Sequence, residues 1–297
     1  MRRYEDRVQA SRGLGLLNAV PAPIVVLGSV ISVQFGAALA RGLFPLVGPA
    51  GTVFLRLSVA IVCLYLLLRP DVFGLLRRHP LLIAAFGATI ALSTVFFYIA
   101  VSRIPLGVAI ALEFIGPLIV ALRNTRRLLE RAWVVLAGAS VALLVPDIGT
   151  TLDGWGVAAA LVAATFWGLY IVLAPRVAAV AAEYDGLVAA LCVAWLILLI
   201  PGVWQGGAEL LTFHVLWQSV VMGIMAAVIP FTFDFNALKR LPPRIYGVLV
   251  CSEPIAGAIV GFLVLEERLT LPTLGAIVGV TIASIGSTLT HKEGTHE

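Results

Sequence analysis

Charge is the scarcest ingredient of this sequence: 20 Lys and Arg and 16 Asp and Glu make up 12% of 297 residues, against 61% hydrophobic. A soluble globular protein carries roughly 25% charged residues, so about half the charge needed to coat a water-facing surface is missing. That shortage excludes a soluble enzyme, a disordered protein and a nucleic-acid module, despite a pI near 9.2. Cysteine is almost absent too. Cys63, Cys192 and Cys251 stand singly in apolar runs, so neither a disulfide framework nor a CxxC zinc pattern can be read, and small packing residues are expected. His79, His214, His291 and His296 fall in loops or the tail, so no metal site and no cofactor is expected. No G-x-x-x-x-G-K-[ST] match occurs. Work done by this chain is therefore driven by a gradient or a partner.

Long apolar runs are what the sequence has instead, with a mean hydropathy of +1.05. A hydrocarbon core of roughly 30 Å needs about 20 apolar residues in a helix. Runs at about 21–40, 49–68, 80–101, 107–122, 131–147, 154–174, 185–205, 216–237, 244–264 and 271–290 predict ten transmembrane helices. The fold class is an all-α polytopic membrane protein. Arg103-Ile104-Pro105 and Leu241-Pro242-Pro243 predict helical hairpin turns, because Pro cannot continue the preceding helix. The first run follows about 20 residues that hold Arg2, Arg3, Arg7 and Arg12, and is expected to be a retained span rather than a cleaved signal.

Cations set the expected orientation. The N-terminus, the loops 69–79, 123–131, 175–184 and 238–244, and the C-terminus hold 16 of the 20 Lys and Arg. The other side holds only Arg41, Arg103 and Arg268, and Arg56 lies inside a span. Both termini are expected in the cytoplasm, with 1–20 an extension and 291–297 a tail. The basic segments Arg123-Asn124-Thr125-Arg126-Arg127 and Arg77-Arg78 then need only anionic lipid headgroups, and no nucleic-acid partner.

Sliding the chain against itself by 137 residues aligns 96–152 with 233–289 without a gap. Matched pairs include Ala100/Ala237, Arg103/Arg240, Pro105/Pro242, Pro117/Pro254, Glu130-Arg131/Glu267-Arg268, Gly138/Gly275 and Gly149/Gly286. Five helices per copy is an odd number, so the second copy is expected to insert upside down relative to the first. The halves are 21–152 and 153–290. Inverted repeats recur in secondary transporters, whose substrate sites lie near the midplane between the halves.

Leu112-Glu113-Phe114-Ile115-Gly116-Pro117-Leu118 resembles the fourth-helix motif of bacterial threonine/homoserine exporters. Ser252-Glu253-Pro254-Ile255, with Leu265-Glu266-Glu267-Arg268-Leu269-Thr270, resembles the end-of-repeat signature of EamA domains in the drug/metabolite transporter superfamily. The likeness runs from Phe44-Pro45-Leu46-Val47-Gly48 to Gly286-Ser287-Thr288-Leu289-Thr290. It implies ten helices in two EamA halves, an inner-membrane location, and efflux of small amino acids against proton entry. The extension to about residue 20 has no counterpart in it.

Ionisable groups inside spans are costly and default functional candidates. Glu113 lies about six residues, or roughly 9 Å, from the outer end of span four, and Arg56 about seven residues from the outer end of span two. Their similar depth predicts an ion pair. One reading engages a zwitterionic substrate, with Arg56 for a carboxylate and Glu113 for an ammonium group or a proton. The other is a structural lock between two helices. Glu253 lies near the midplane of span nine beside Pro254, as Glu113 precedes Pro117. A Pro kink frees a carbonyl, and a partly desolvated carboxylate beside it suits proton coupling; interhelical glue is the alternative. Asp234, near the inner end of span eight and close to Lys239 and Arg240, is expected in a gate or interfacial ion pair.

Gln34, Ser93, Thr94, Tyr98, Trp167, Tyr170 and Asn236 are further cavity candidates, in spans one, three, six and eight. Packing or interface anchoring is the alternative for each. Gly36, Gly168, Gly257 and Gly261 would let helices approach closely. The Gly257-x-x-x-Gly261 spacing also suits dimerisation, although packing inside the monomer explains it more simply; the oligomeric state is left open. The expected substrate is a small amino acid, threonine or homoserine first, with protons as the coupling ion. Alternatives are export of an aromatic amino acid, a purine or a toxic analogue. A membrane-embedded enzyme is disfavoured, because no span contains His and no two acids lie close within one span.

Overall fold

The computed structural model describes residues 19–123, 128–143, 152–181, 184–238, 240–241 and 243–290. The expected tail, most of the extension, Lys239, Pro242 and the basic stretch 124–127 lie outside the described residues. Among those described there is helix and no β-strand. The helices are α1 (Ala22–Leu68), α2 (Val72–Arg78), α3 (Pro80–Val101), α4 (Leu106–Glu113), α5 (Ile115–Arg123), α6 (Leu128–Ala142), α7 (Gly154–Ala178), α8 (Asp185–Gly206), α9 (Phe213–Gly223), α10 (Ile229–Leu238), α11 (Pro243–Val250), α12 (Glu253–Leu265) and α13 (Leu271–Thr290). Seven helical stretches are long and apolar enough to cross a membrane, and Leu106–Val120 and Arg131–Ala142 are shorter apolar helices.

The differences from ten separate spans have local causes. Expected spans one and two are two helices that meet at a kink within α1, whose 47 residues would reach about 70 Å if straight. The helix is broken at a single residue, Gly48, with φ 66° and ψ 172°. Glycine is required there: φ is positive, and an added Cβ would strike the Gln205 side chain. Pro49 brings no N–H, and the Ala50 N–H donates to Gln205 Oε1 of α8 at 2.7 Å. A side chain distant in sequence thus caps the restart where a loop was expected.

Spans four and nine are each interrupted, between α4 and α5 at Phe114 and between α11 and α12 at Cys251–Ser252. Phe114 and Cys251 are 137 residues apart, and each lies three residues before a proline, Pro117 and Pro254. A missing proline N–H leaves the carbonyl four residues earlier without its helical donor. Span eight is interrupted differently. A π-helical stretch, Ile224–Val228, separates α9 from α10, and such wide turns release carbonyls from the regular ladder.

The two hairpin turns match in detail. Arg103 N and Ile104 N donate to Ala100 O at 2.9 and 2.8 Å, and Arg240 N and Leu241 N donate to Ala237 O at 2.9 and 2.8 Å. The Glu267 carboxylate accepts from Leu106 N at 3.0 Å, capping the first turn of α4, and pairs with Arg41 of α1. Arg103 pairs with Asp153 at 2.8 Å. Asp153 also caps α7 through Trp155 N, and the Arg103 hydrogen bond holds its carboxyl below the ordinary aspartate range.

Packing is densest between α3 and α7 and between α8 and α1, followed by α8 with α3, α13 with α6, and α9 with α1. Close approach depends on small residues. A Cβ at Gly36 would lie 2.6 Å from Ala226 Cβ, and one at Gly107 would lie 2.8 Å from Ala258. Gly257 and Gly261 face Ile110 and Glu267 of the same chain, which is the simpler of the two readings of their spacing. The outer surface is apolar, with Trp204 87% and Leu81 85% exposed, the reverse of what water favours. This is a multi-pass membrane fold.

Candidate functional site

The four intramembrane charges come to one place. A cavity of about 300 Å³ is lined by Arg56 from α1, Glu113 from α4, Asp234 from α10 and Glu253 from α12. Gln34, Ser93, Thr94, Trp167 and Tyr170 also line it, with Thr89, Phe97 and the π-stretch residues Ala226 and Ala227. Its volume is at the lower end of the range for ligand pockets, about 300–1,000 Å³, and fits a small metabolite.

The helix breaks place the acids. Glu113 is the last residue of α4 and Glu253 the first residue of α12, so each carboxylate sits at an end of a discontinuous helix facing the cavity. The expected pairing of Arg56 with Glu113 is not what the structure holds. Arg56 donates through Nη2 to the Ala226 carbonyl at 2.9 Å and through Nη1 to the Tyr98 hydroxyl at 3.3 Å. Its guanidinium carbon lies 5.6 Å from the Tyr98 ring centroid. Pro230 gives the reason: it has no N–H, so the Ala226 carbonyl four residues earlier lacks its helical donor and accepts from Arg56 instead. Glu113 Oε1 instead lies 3.2 Å from the Ser93 hydroxyl, which is equally far from the Ala163 carbonyl and has one proton to share between them.

Asp234 lies beside the Ser29 and Tyr246 side chains. Arg240, expected near it, donates to Asn236 Oδ1 at 3.1 Å and to the Val20 carbonyl at 2.6 Å, and Lys239 lies outside the described residues. Two cavity candidates therefore sit behind the wall. Tyr98, 1% exposed, supports Arg56, and buried Asn236 holds Arg240. Pro117 and Pro254 lie beside the breaks rather than in the wall. Trp167 packs edge-on to Phe114 at 5.0 Å, and Tyr170 stacks on Phe86 at 4.8 Å, so both aromatic walls are braced from behind.

Sequence reasoning missed the Ser29–Asp234–Tyr246 cluster and the π stretch. A tyrosine near a span end reads as an interface anchor, and a register shift leaves no compositional trace. The one available signal was Ser29, a hydroxyl inside the first apolar run. Among the described residues no group of three or more His, Cys, Asp and Glu is placed to hold a metal ion.

Comparison with known proteins adds to this geometry. A family model described as the EamA-like transporter family matches residues 154–289. The threonine/homoserine exporter RhtA of Escherichia coli strain K12 is 36% identical over 285 residues, covering 94% of this chain and 96% of that protein. The protein of the same name from Salmonella typhimurium strain LT2 is 35% identical over 271 residues, covering 90% and 91%. A solved structure described only as "Crystal structure of protein" aligns with a TM-score of 0.56 and 17% identity, over 90% of this chain and 96% of that one. That last likeness is one of fold alone.

Proposed function

The chain belongs to the EamA-like transporter family, and on that premise we propose that it exports small amino acids, threonine and homoserine first, across a bacterial inner membrane. It is a transporter and not a membrane-embedded enzyme. The substrate class comes from the relatives named as threonine/homoserine exporters, which align along nearly the whole chain. The observation that carries the mechanism is the single cavity collecting Arg56, Glu113, Asp234 and Glu253. Three carboxylates against one guanidinium favour a ligand that brings an ammonium group, and we assign that group to Glu113 and Glu253. Two hydrogen bonds leave Arg56 with donors to spare for the substrate carboxylate.

In this reading the chain has ten spans in two oppositely inserted halves, 21–152 and 153–290, with both termini cytoplasmic. The paired breaks at Phe114 and Cys251 and the matching turns at Ala100 and Ala237 support a duplicated architecture. Discontinuous helices around a midplane site are the usual furniture of such transporters. Exchange of conformation between equivalent halves opens the cavity to either side in turn. Proton entry through Glu253, exchanged for substrate, drives export.

The test is efflux of radiolabelled threonine from loaded cells, with and without the gene and with and without a protonophore. Expression is expected to raise efflux, and the protonophore to abolish the gain. Efflux unchanged by expression and by deletion removes the substrate claim. Glu253→Gln is expected to insert normally and lose the proton-driven component; full transport by that variant removes the coupling role.

A further inference from the structure

Three buried side-chain polar atoms among the described residues have no hydrogen-bond partner: Gln34 Oε1, Gln218 Oε1 and Ser284 Oγ. Only Gln34 belongs to the cavity wall. Its side chain is 1% exposed, so water does not readily serve the orphan oxygen, and a buried acceptor left empty is destabilising. An atom of this kind persists in a binding site when something other than the protein completes it.

Its setting is rigid and close to the charges. One turn of α1 fixes it from both sides. Ser32 donates to the Met225 carbonyl at 2.8 Å, and Gly36 presses against Ala226. The oxygen also lies beside Gly257, where an added Cβ would come within 3.5 Å of it. Gly257 is four residues after Glu253, and residues so spaced share a helix face about 6 Å apart. The Gln34 amide and the Glu253 carboxylate therefore address the same small ligand from neighbouring positions. A terminal amide torsion is broad and roughly two-fold, so a modest rotation presents either Oε1 or Nε2 to the cavity.

We propose that Gln34 is the specificity-determining residue that reads the side-chain hydroxyl of the substrate. The hydroxyl donates to Oε1, or accepts from Nε2, while the charged groups hold the amino-acid end. Threonine and homoserine share one feature that 2-aminobutyrate, the deoxy analogue of both, lacks. A site built around a hydroxyl rejects the analogue without it, because the buried polar group is then left unpaired. The inference rests on the reading of this cavity as the amino-acid site.

The experiment measures efflux of threonine, homoserine and 2-aminobutyrate from cells expressing the wild type, Gln34→Met and Gln34→Asn. The wild type is expected to prefer threonine over 2-aminobutyrate by about tenfold or more. Gln34→Met, similar in length and apolar, is expected to bring that ratio to within about twofold while still exporting 2-aminobutyrate. Gln34→Asn withdraws the amide by one methylene and is expected to raise the homoserine-to-threonine ratio, since the homoserine hydroxyl reaches one carbon further. Threonine preference retained by Gln34→Met overturns the inference and leaves amino-acid export standing. Loss of all three fluxes in both variants also overturns it, by assigning Gln34 a structural role. A wild type that exports none of the three removes the amino-acid reading beneath it.

Discussion

Replacing Glu267 by alanine tests the packing argument most directly. Its carboxylate is 7% exposed and pairs with Arg41, which is 32% exposed, and it accepts from Leu106 N at the start of α4. Losing a side-chain cap of this kind costs about 0.5–2 kcal/mol, and the negative charge at a helix N-terminus adds about 0.3–1 kcal/mol. The ion pair itself contributes at most about 1 kcal/mol, because Arg41 is partly solvated. Glu267→Ala is therefore expected to destabilise the protein by about 2–3 kcal/mol. Glu267→Gln keeps an acceptor for Leu106 and is expected to lose only about 1 kcal/mol, and Arg41→Ala less than that. Reversible unfolding of the purified protein in mixed micelles, followed by tryptophan fluorescence, gives all three values. An alanine variant within about 0.5 kcal/mol of wild type, or a Gln variant as damaged as the Ala variant, refutes the capping argument.

Three further outcomes are expected. Tyr98→Phe removes the hydroxyl that accepts from Arg56 without touching the cavity wall, and should cost about 1 kcal/mol with a fall in threonine efflux; unaltered efflux and stability would place Arg56 under the control of Ala226 alone. Gly36→Val drives a branched side chain into Ala226, where even a Cβ comes within 2.6 Å, and should cost about 1–3 kcal/mol or more, read as loss of monodisperse protein after extraction. Asp153 is held below its ordinary value of 3.8 by Arg103. Its contribution is thus present above about pH 4 and disappears as pH falls through the lowered value. Asp153→Asn should be less stable than wild type at neutral pH and converge with it in strong acid; a constant gap across pH would contradict the linkage.

Hydropathy located the membrane segments because it depends on composition, and composition survives any rearrangement of contacts. Marking Arg56, Glu113, Asp234 and Glu253 as candidates was possible for a similar reason, since a buried charge has few places to go. That Asp234 lines the same cavity as the other three was not legible, because its place near the inner end of a span pointed to a gate or interfacial ion pair. Partner identity was not legible either. Arg56 and Glu113 were matched by depth, but depth says nothing about which way each side chain points around its helix. The deciding acceptor, the Ala226 carbonyl, lies four residues before Pro230, so its missing donor is written in the sequence, but its meeting with Arg56 is not. Pro117 and Pro254 did announce the breaks in spans four and nine. Their consequence, a carboxylate at a helix end, needed the location of each interruption as well as the proline. Gly48 shows the opposite limit: a glycine between two prolines reads as a loop, and the chain made it a one-residue kink.

The cap on that kink carries a consequence for how the protein is made. Gln205 completes Ala50 across 155 residues, Glu267 completes Leu106 across 161, and Ala226 completes Arg56 across 170. Ribosomes add about 5–20 residues per second, so each early helix waits on the order of ten to thirty seconds for its partner. During that interval the first segments stand in the bilayer with the Ala50 and Leu106 amides bare and with Arg56 held by Tyr98 alone. Whatever holds them, insertion machinery or lipid headgroups, acts as a placeholder for side chains not yet translated. A chain stalled before residue 205 should therefore be an early target for membrane quality-control proteases, and one stalled after 267 should escape them.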